Sequence, residues 1–124
     1  MNSAALLGVW LAAAAQAPEE EGQRWALVVG ENRGLSSEEK LRYAESDARK
    51  MLGVLQDVGG VSAAHAVSVY GTDAGRLRAT LKGLSARLAA EATAKDRLLV
   101  YVCGGEATIK QVSSRIISIF TALG

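Results

Sequence analysis

One cysteine, one histidine and one proline in 124 residues rule out several kinds of protein at the start. Cys103 has no second cysteine to pair with, so no internal disulfide framework holds the chain together. Cys103 and His65 together cannot build a structural zinc site without help from carboxylates, and no metal is expected. Aromatic residues are scarce (two Trp, three Tyr and one Phe), which leaves the core to Leu, Val, Ala and Ile. Charge of one sign is scarce too: 14 Lys and Arg stand against 13 Asp and Glu, a formal net charge of +1. The arginines are scattered rather than clustered, so nucleic acid is not an expected partner. The longest apolar run, Ala4 to Ala15, is too short to span a bilayer as a helix. What is present, 49% hydrophobic and 22% charged residues, is the balance of a globular protein of one domain.

The first 17 residues, MNSAALLGVWLAAAAQA, carry no charged side chain. The apolar run suits the central region of a secretory signal peptide, and Ala15-Gln16-Ala17 has the small-x-small form of a cleavage site. No Lys or Arg precedes the run, and Pro18 would follow the cut directly. Export to the periplasm or the outside is the expectation on this pattern. A frayed N-terminal extension on a cytoplasmic chain is the alternative. Residues 18–23 form a polar, acidic connector.

The folded part is expected to begin at Arg24. Arg24-Trp25-Ala26-Leu27-Val28-Val29-Gly30 reads as a strand buried on both faces. Glu31 to Glu39 is a polar loop. Ala44, Ala48, Met51, Leu52 and Leu55 recur at helical spacing and predict a helix over roughly Ala44 to Val58, with Ser46 and Asp47 in its first turn and Gly59-Gly60 as its stop. Ala66 to Tyr70 reads as a second strand, and Gly71-Thr72-Asp73 as a turn and helix cap. Leu77, Leu81, Leu84 and Leu88 mark a second helix. Leu98 to Cys103 reads as a third buried strand closed by Gly104-Gly105. This alternation of strand and helix predicts parallel strands with helices on both faces. The stretch Glu106 to Gly124 places Ile109, Val112, Ile116, Phe120 and Leu123 on one helical face. It is rich in β-branched residues, however, and is either a third helix or a segment with no good home.

Ligands of open parallel sheets bind beyond the carboxyl ends of the strands. Gly30 to Gly34, Gly71 to Asp73 and Gly104 to Glu106 lie there. Gly30-Glu31-Asn32-Arg33-Gly34 is neither a phosphate loop nor a dinucleotide fingerprint, so no nucleotide cofactor is expected. Arg33 reads as a solvated loop arginine or an anion contact. Asp47 reads as an acid at the positive end of a helix. His65 precedes its strand whereas Cys103 ends its own, so the two should lie at opposite ends of the sheet, which argues against a Cys/His dyad. His65 is then an exposed loop histidine and Cys103 a small buried hydrophobe. Glu106 has no obvious acid or base partner in the sequence.

Three stretches together are similar to the start of a caspase-like cysteine peptidase domain, of the caspase and metacaspase clan. Arg24 to Asn32 resembles its first strand and Gly-x-Asn loop. Leu41-Arg42-Tyr43-Ala44-Glu45-Ser46-Asp47-Ala48 resembles its Leu-x-x-Ala/Cys-x-x-Asp-Ala helix start. Asp96-Arg97-Leu98-Leu99-Val100-Tyr101 resembles the strand that delivers the catalytic histidine. In that family the strand ends Tyr-Ser-Gly-His-Gly; here Gly105 aligns with the histidine and Cys103 with the serine. The family's nucleophile lies on the next strand, so the resemblance implies no catalytic residue in this chain. It implies that Asp47 helps line a pocket for a basic P1 side chain, and it places Arg33 where caspases hold an arginine for an acidic P1. The tail from Glu106 resembles nothing in the family, which implies a truncated or frame-shifted reading of a longer gene.

The expected fold is a three-layer α/β/α domain with a mainly parallel sheet, an incomplete caspase-like domain over residues 24–105. The expected function is that of a caspase-like cysteine endopeptidase family member, inactive alone, whose parent family acts on peptides or proteins. A non-catalytic interaction domain on the same scaffold is the alternative. A flavodoxin-like or receiver-like binder is a weaker third, since the paired acids a receiver needs after strand one are missing. An exposed edge strand would favour self-association.

Overall fold

A computed structural model describes residues 22–32, 43–71 and 73–123. The expected signal peptide at 1–17, most of the connector and Arg33 lie outside the described residues. The described chain runs β1 (Arg24–Gly30), α1 (Ala44–Asp57), a 3-10 turn (Ala63–His65), β2 (Ala66–Tyr70), α2 (Ala74–Glu91), β3 (Arg97–Cys103) and α3 (Glu106–Leu123). The three strands form a parallel sheet in the order β2-β1-β3. The register pairs Gly30 with Tyr70 on one side and with Cys103 on the other, so all three strands end level.

The period-two alternation of β1 divides the core. Ala26 and Val28 face α1 and pack with Ala48, Leu55 and Val61. Trp25, Leu27 and Val29 face the other way, onto Leu77, Leu81, Leu84 and Leu88 of α2 and Val112 and Ile119 of α3. The molecule is therefore a three-layer α/β/α arrangement, with β1 buried on both faces. The first crossover moves from β1 to β2 and the second moves back past β1 to β3. Opposite directions put α1 and α2 on opposite faces when both crossovers keep the usual right hand.

Three expectations need correction. Helix α3 forms in full, but its core face holds Val112 and Ile119, while Ile109 and Phe120 are 44% and 54% exposed. The observed core face is turned by roughly 50° from the expected stripe, which includes Ile109 and Phe120 and leaves out Ile119. His65 is not an exposed loop residue: it is half-buried, and its ring stacks on Trp25 with centroids 4.2 Å apart. The expected third buried strand is not buried: every residue of β3, Cys103 included, is half-buried or exposed, because β3 is an edge strand with one neighbour.

Candidate functional site

The carboxyl ends of the strands meet the first turn of α1, and glycine makes the approach close. A Cβ on Gly30 would lie 2.6 Å from Ala48 Cβ and 2.7 Å from the Ala44 carbonyl oxygen. Only a residue without a side chain lets α1 settle there, and only small residues on α1 let it come down. The chain leaving β1 is tied to both neighbours. The Glu31 N–H donates to the Cys103 carbonyl at 2.9 Å, and the Gly71 N–H donates to the Gly30 carbonyl at 3.0 Å.

Helix α1 takes its cap from across the site. Tyr43, at the cap position, offers no side-chain bond. Instead the Glu45 N–H donates to Asn32 Oδ1, and the Asn32 N–H donates to Glu45 Oε2, each at 3.0 Å. This reciprocal pair does the work of a capping box, with its halves 13 residues apart. The Glu45 carboxylate also fills the space at Gly71, where a Cβ would meet Oε1 at 2.9 Å and where φ is +59°. Gly71 thus answers two demands, a left-handed backbone and a close carboxylate. Glu45 was missed at the sequence level. The signal was available: an acid in the first turn of a helix whose cap residue cannot accept a bond, following a Gly-x-Asn loop.

Asp47, one turn on from Tyr43, is exposed on α1. Its charge reaches the Tyr101 side chain on β3. Burial pushes the Tyr101 hydroxyl above its ordinary value of 10.0; negative charge at Cys103 and Asp47, and hydrogen bonding with Cys103, push it the same way. Asp47, Tyr101 and Cys103 are therefore brought together on the α1 side of β3. On the β2 side the Arg49 guanidinium lies 4.4 Å from the centre of the Tyr70 ring. Glu31 is buried between the ends of β1 and β3, beside Gly104. Gly105 accepts from Ile109 N–H and opens α3, and Glu106 pairs with Lys110 at 3.0 Å on the surface. Glu106 thus has a partner, one turn along its own helix.

His65 is not part of this cluster. It precedes Ala66, which pairs with Ala26, whereas Cys103 pairs with Gly30. Four strand residues separate the two levels, roughly 13 Å at the usual rise. The imidazole is engaged at the amino end, where Arg87 also lies 5.1 Å over the Trp25 ring and donates to the Ala64 carbonyl at 2.6 Å. The same end carries a cavity of about 320 Å³ lined by Trp25, Leu88, Asp96, Leu98 and Phe120. Both carboxylate oxygens of Asp96 there accept bonds already, from Trp25 Nε1, Gln23 N–H and Thr93 Oγ1. Among the described residues no group of three or more His, Cys, Asp or Glu side chains could hold a metal ion, and no helix is long and apolar enough to cross a membrane.

In comparisons with family models and with curated proteins, nothing matches this chain. The chemistry of the site therefore stands on its own geometry. It offers a thiol beside a tyrosine, an exposed carboxylate and backbone ends, with no imidazole in reach of the thiol.

Proposed function

We propose that this chain is built on the N-terminal part of a caspase-like cysteine peptidase scaffold and engages peptides without hydrolysing them. The observation that carries the reading is the composition of the sheet's carboxyl end. The Gly-x-Asn turn, the small-residue start of α1 and the end of β3 converge there, while glycine occupies position 105 and the sole histidine lies at the opposite end. Acyl transfer through a thiolate needs a base within hydrogen-bond reach of the sulfur. Cys103 has Tyr101 beside it instead, and the imidazole lies at the other end of the sheet.

With hydrolysis removed, recognition is what the site retains. Asp47 is exposed at the mouth of the sheet and suits a Lys or Arg side chain of an extended peptide, the contact the family resemblance implies. This reading joins the peptidase scaffold to the alternative of a non-catalytic interaction domain.

The test uses fluorogenic peptides with Arg, Lys or Asp before the scissile bond, under reducing conditions. No turnover above background is expected from the chain or from Cys103→Ala. Binding of an Arg-containing peptide is expected to weaken roughly two- to fivefold in Asp47→Asn, the size of an exposed ion pair. Turnover that Cys103→Ala abolishes would defeat the non-catalytic reading. Peptide binding indifferent to Asp47 would remove the proposed contact.

A further inference from the structure

Among the described residues nothing pairs with the outer edge of β3, which carries a regular ladder. Arg97 N–H donates to the Gln23 carbonyl and the Cys103 carbonyl accepts from Glu31, so residues 97, 99, 101 and 103 direct their backbone groups at β1. By the alternation of a parallel ladder, the N–H and C=O groups of Leu98, Val100 and Val102 point outward, away from β1. The strand that presents them is apolar throughout, from Leu98 to Cys103, and its Leu99 is 46% exposed. Nothing on β3 itself has the usual protection of an edge: no proline, no bulge, no inward charge between residues 98 and 103.

We infer that β3 pairs antiparallel with β3 of a second copy of this chain, about a two-fold axis at Val100, to give one continuous six-stranded sheet. The register follows from the backbone. With Val100 opposite Val100, and Leu98 opposite Val102 of the second copy, the outward-facing residues fall in hydrogen-bonded pairs, and each outward N–H meets an outward C=O. Shifting by one residue would set outward groups against inward ones. The side chains agree with this register. Leu99 faces Tyr101 of the second copy on the α1 side of the sheet, and Leu98 faces Val102 on the other. Charge agrees as well. Arg97 at the start of each strand, and Lys95 before it, arrive at the far end of the other, where Glu106 opens α3, while the Asp96 carboxylate between them is taken up by Gln23, Trp25 and Thr93 of its own chain.

Helix α3 extends the same face. Gln111 Nε2 donates to the Ala74 carbonyl of α2, which fixes one flank of α3 against that helix. At 100° per residue, Ile109 and Phe120 fall on the opposite flank, beside the β3 edge, with Ile117 (67% exposed) further round. A two-fold axis normal to the sheet puts both α3 helices on one face, antiparallel, with these flanks turned to each other. A patch that is self-complementary in this way suits an isologous dimer.

The test combines mass and hydrogen exchange on the full chain. Light scattering at about 100 μM should give twice the 13.0 kDa of one chain. Between about 1 and 100 μM, exchange at the Leu98, Val100 and Val102 amides should slow roughly tenfold or more, while Leu99 and Tyr101 stay protected throughout. Val100→Pro removes an outward N–H and no bond to β1, so it should give a monomer with an unchanged far-UV spectrum. Leu99→Lys, which leaves the backbone alone, should do the same. A wild-type monomer at 100 μM, a dimer that survives both substitutions, or slowed exchange only on adding an unrelated strand-forming peptide would each overturn the inference.

Discussion

Gly30 shows how much one missing side chain decides. The atoms a Cβ would meet include the Ala44 carbonyl and Ala48 Cβ, and neither is the loose end of a flexible side chain. Gly30→Ala must therefore lift α1 from the sheet or bend the end of β1. A cost of about 1–3 kcal/mol in urea unfolding is expected, as for other overpacked positions, with loss of the Asn32–Glu45 exchange of bonds. Gly53, on the open side of α1, has nothing within 4 Å of its absent Cβ. Gly53→Ala should instead stabilise by roughly 0.5–1 kcal/mol, since alanine has less backbone entropy to lose in a helix. The opposite signs of two identical changes would establish that close approach, and not glycine itself, is what the site needs. Equal effects would refute it. Tyr101 adds a pH signature at the same site. Its hydroxyl is raised by burial and by the charges at Cys103 and Asp47, so the neutral form belongs to the folded state. Stability from this group is complete below pH 10.0 and is lost as pH rises beyond it; Tyr101→Phe should remove that part of the alkaline loss in a pH series of unfolding midpoints.

At the scale of elements, α3 separates two kinds of apolar residue that look alike in sequence. Ile119 is 2% exposed and sits in the cluster with Leu81 and Val112, whereas Ile117 is 67% exposed. Ile119→Ala should cost about 2–5 kcal/mol. Ile117→Ser should stay within about 0.5 kcal/mol at dilutions where the chain is monomeric. Which face of α3 turns inward was legible only in part: Val112 and Ile116 lay in the expected stripe and pack on the core, but Ile119 did not, because apolar side chains at 117, 119 and 120 surround the helix. The other elements were legible for physical reasons. β1 is buried on both faces and so reads as an unbroken apolar run. In α2, Leu77, Leu81, Leu84 and Leu88 are all buried, and Asp73 caps the first turn through the Arg76 N–H at 2.7 Å, as its place after Gly71 implied. The site was only half legible. Asp47 and the separation of His65 from Cys103 follow from where each falls on its element. The bond between Asn32 and Glu45 left only an indirect signal, a first-turn acid after a Gly-x-Asn loop, and it takes the fold to bring the two together across 13 residues. His65 was misplaced because its stacking partner, Trp25, comes from β1, 40 residues earlier in the chain.

For the molecule as a whole, the decisive feature is that one strand serves both layers. β1 contributes Ala26 and Val28 to one cluster and Trp25, Leu27 and Val29 to the other, so neither layer can come apart without exposing the other's floor. Such a molecule should unfold in one transition, with Trp fluorescence and far-UV circular dichroism coincident. The amino end of β1 is secured by a single carboxylate. Asp96 accepts from Gln23 N–H, Trp25 Nε1 and Thr93 Oγ1, binding the entry of β1 to the turn before β3. Burial alone would raise this carboxyl, but the bonds it accepts outweigh burial and hold it at about 2, below its ordinary 3.8. A depressed carboxyl stabilises the fold above its unfolded value. Its contribution is therefore complete at neutral pH, begins to fall near pH 3.8, and is gone once the pH has dropped through about 2. Asp96→Asn keeps the shape and removes the charge. It should cost about 1–3 kcal/mol at pH 7, since charge-assisted bonds are the stronger ones. The difference between wild type and variant should then shrink as pH falls from about 4 toward 2, because protonation does to Asp96 what the substitution has already done. Urea midpoints of both proteins between pH 7 and pH 2 measure this directly. Curves that stay parallel to the lowest pH would mean that the amino end of β1 is held by packing around Trp25 and not by the carboxylate beneath it.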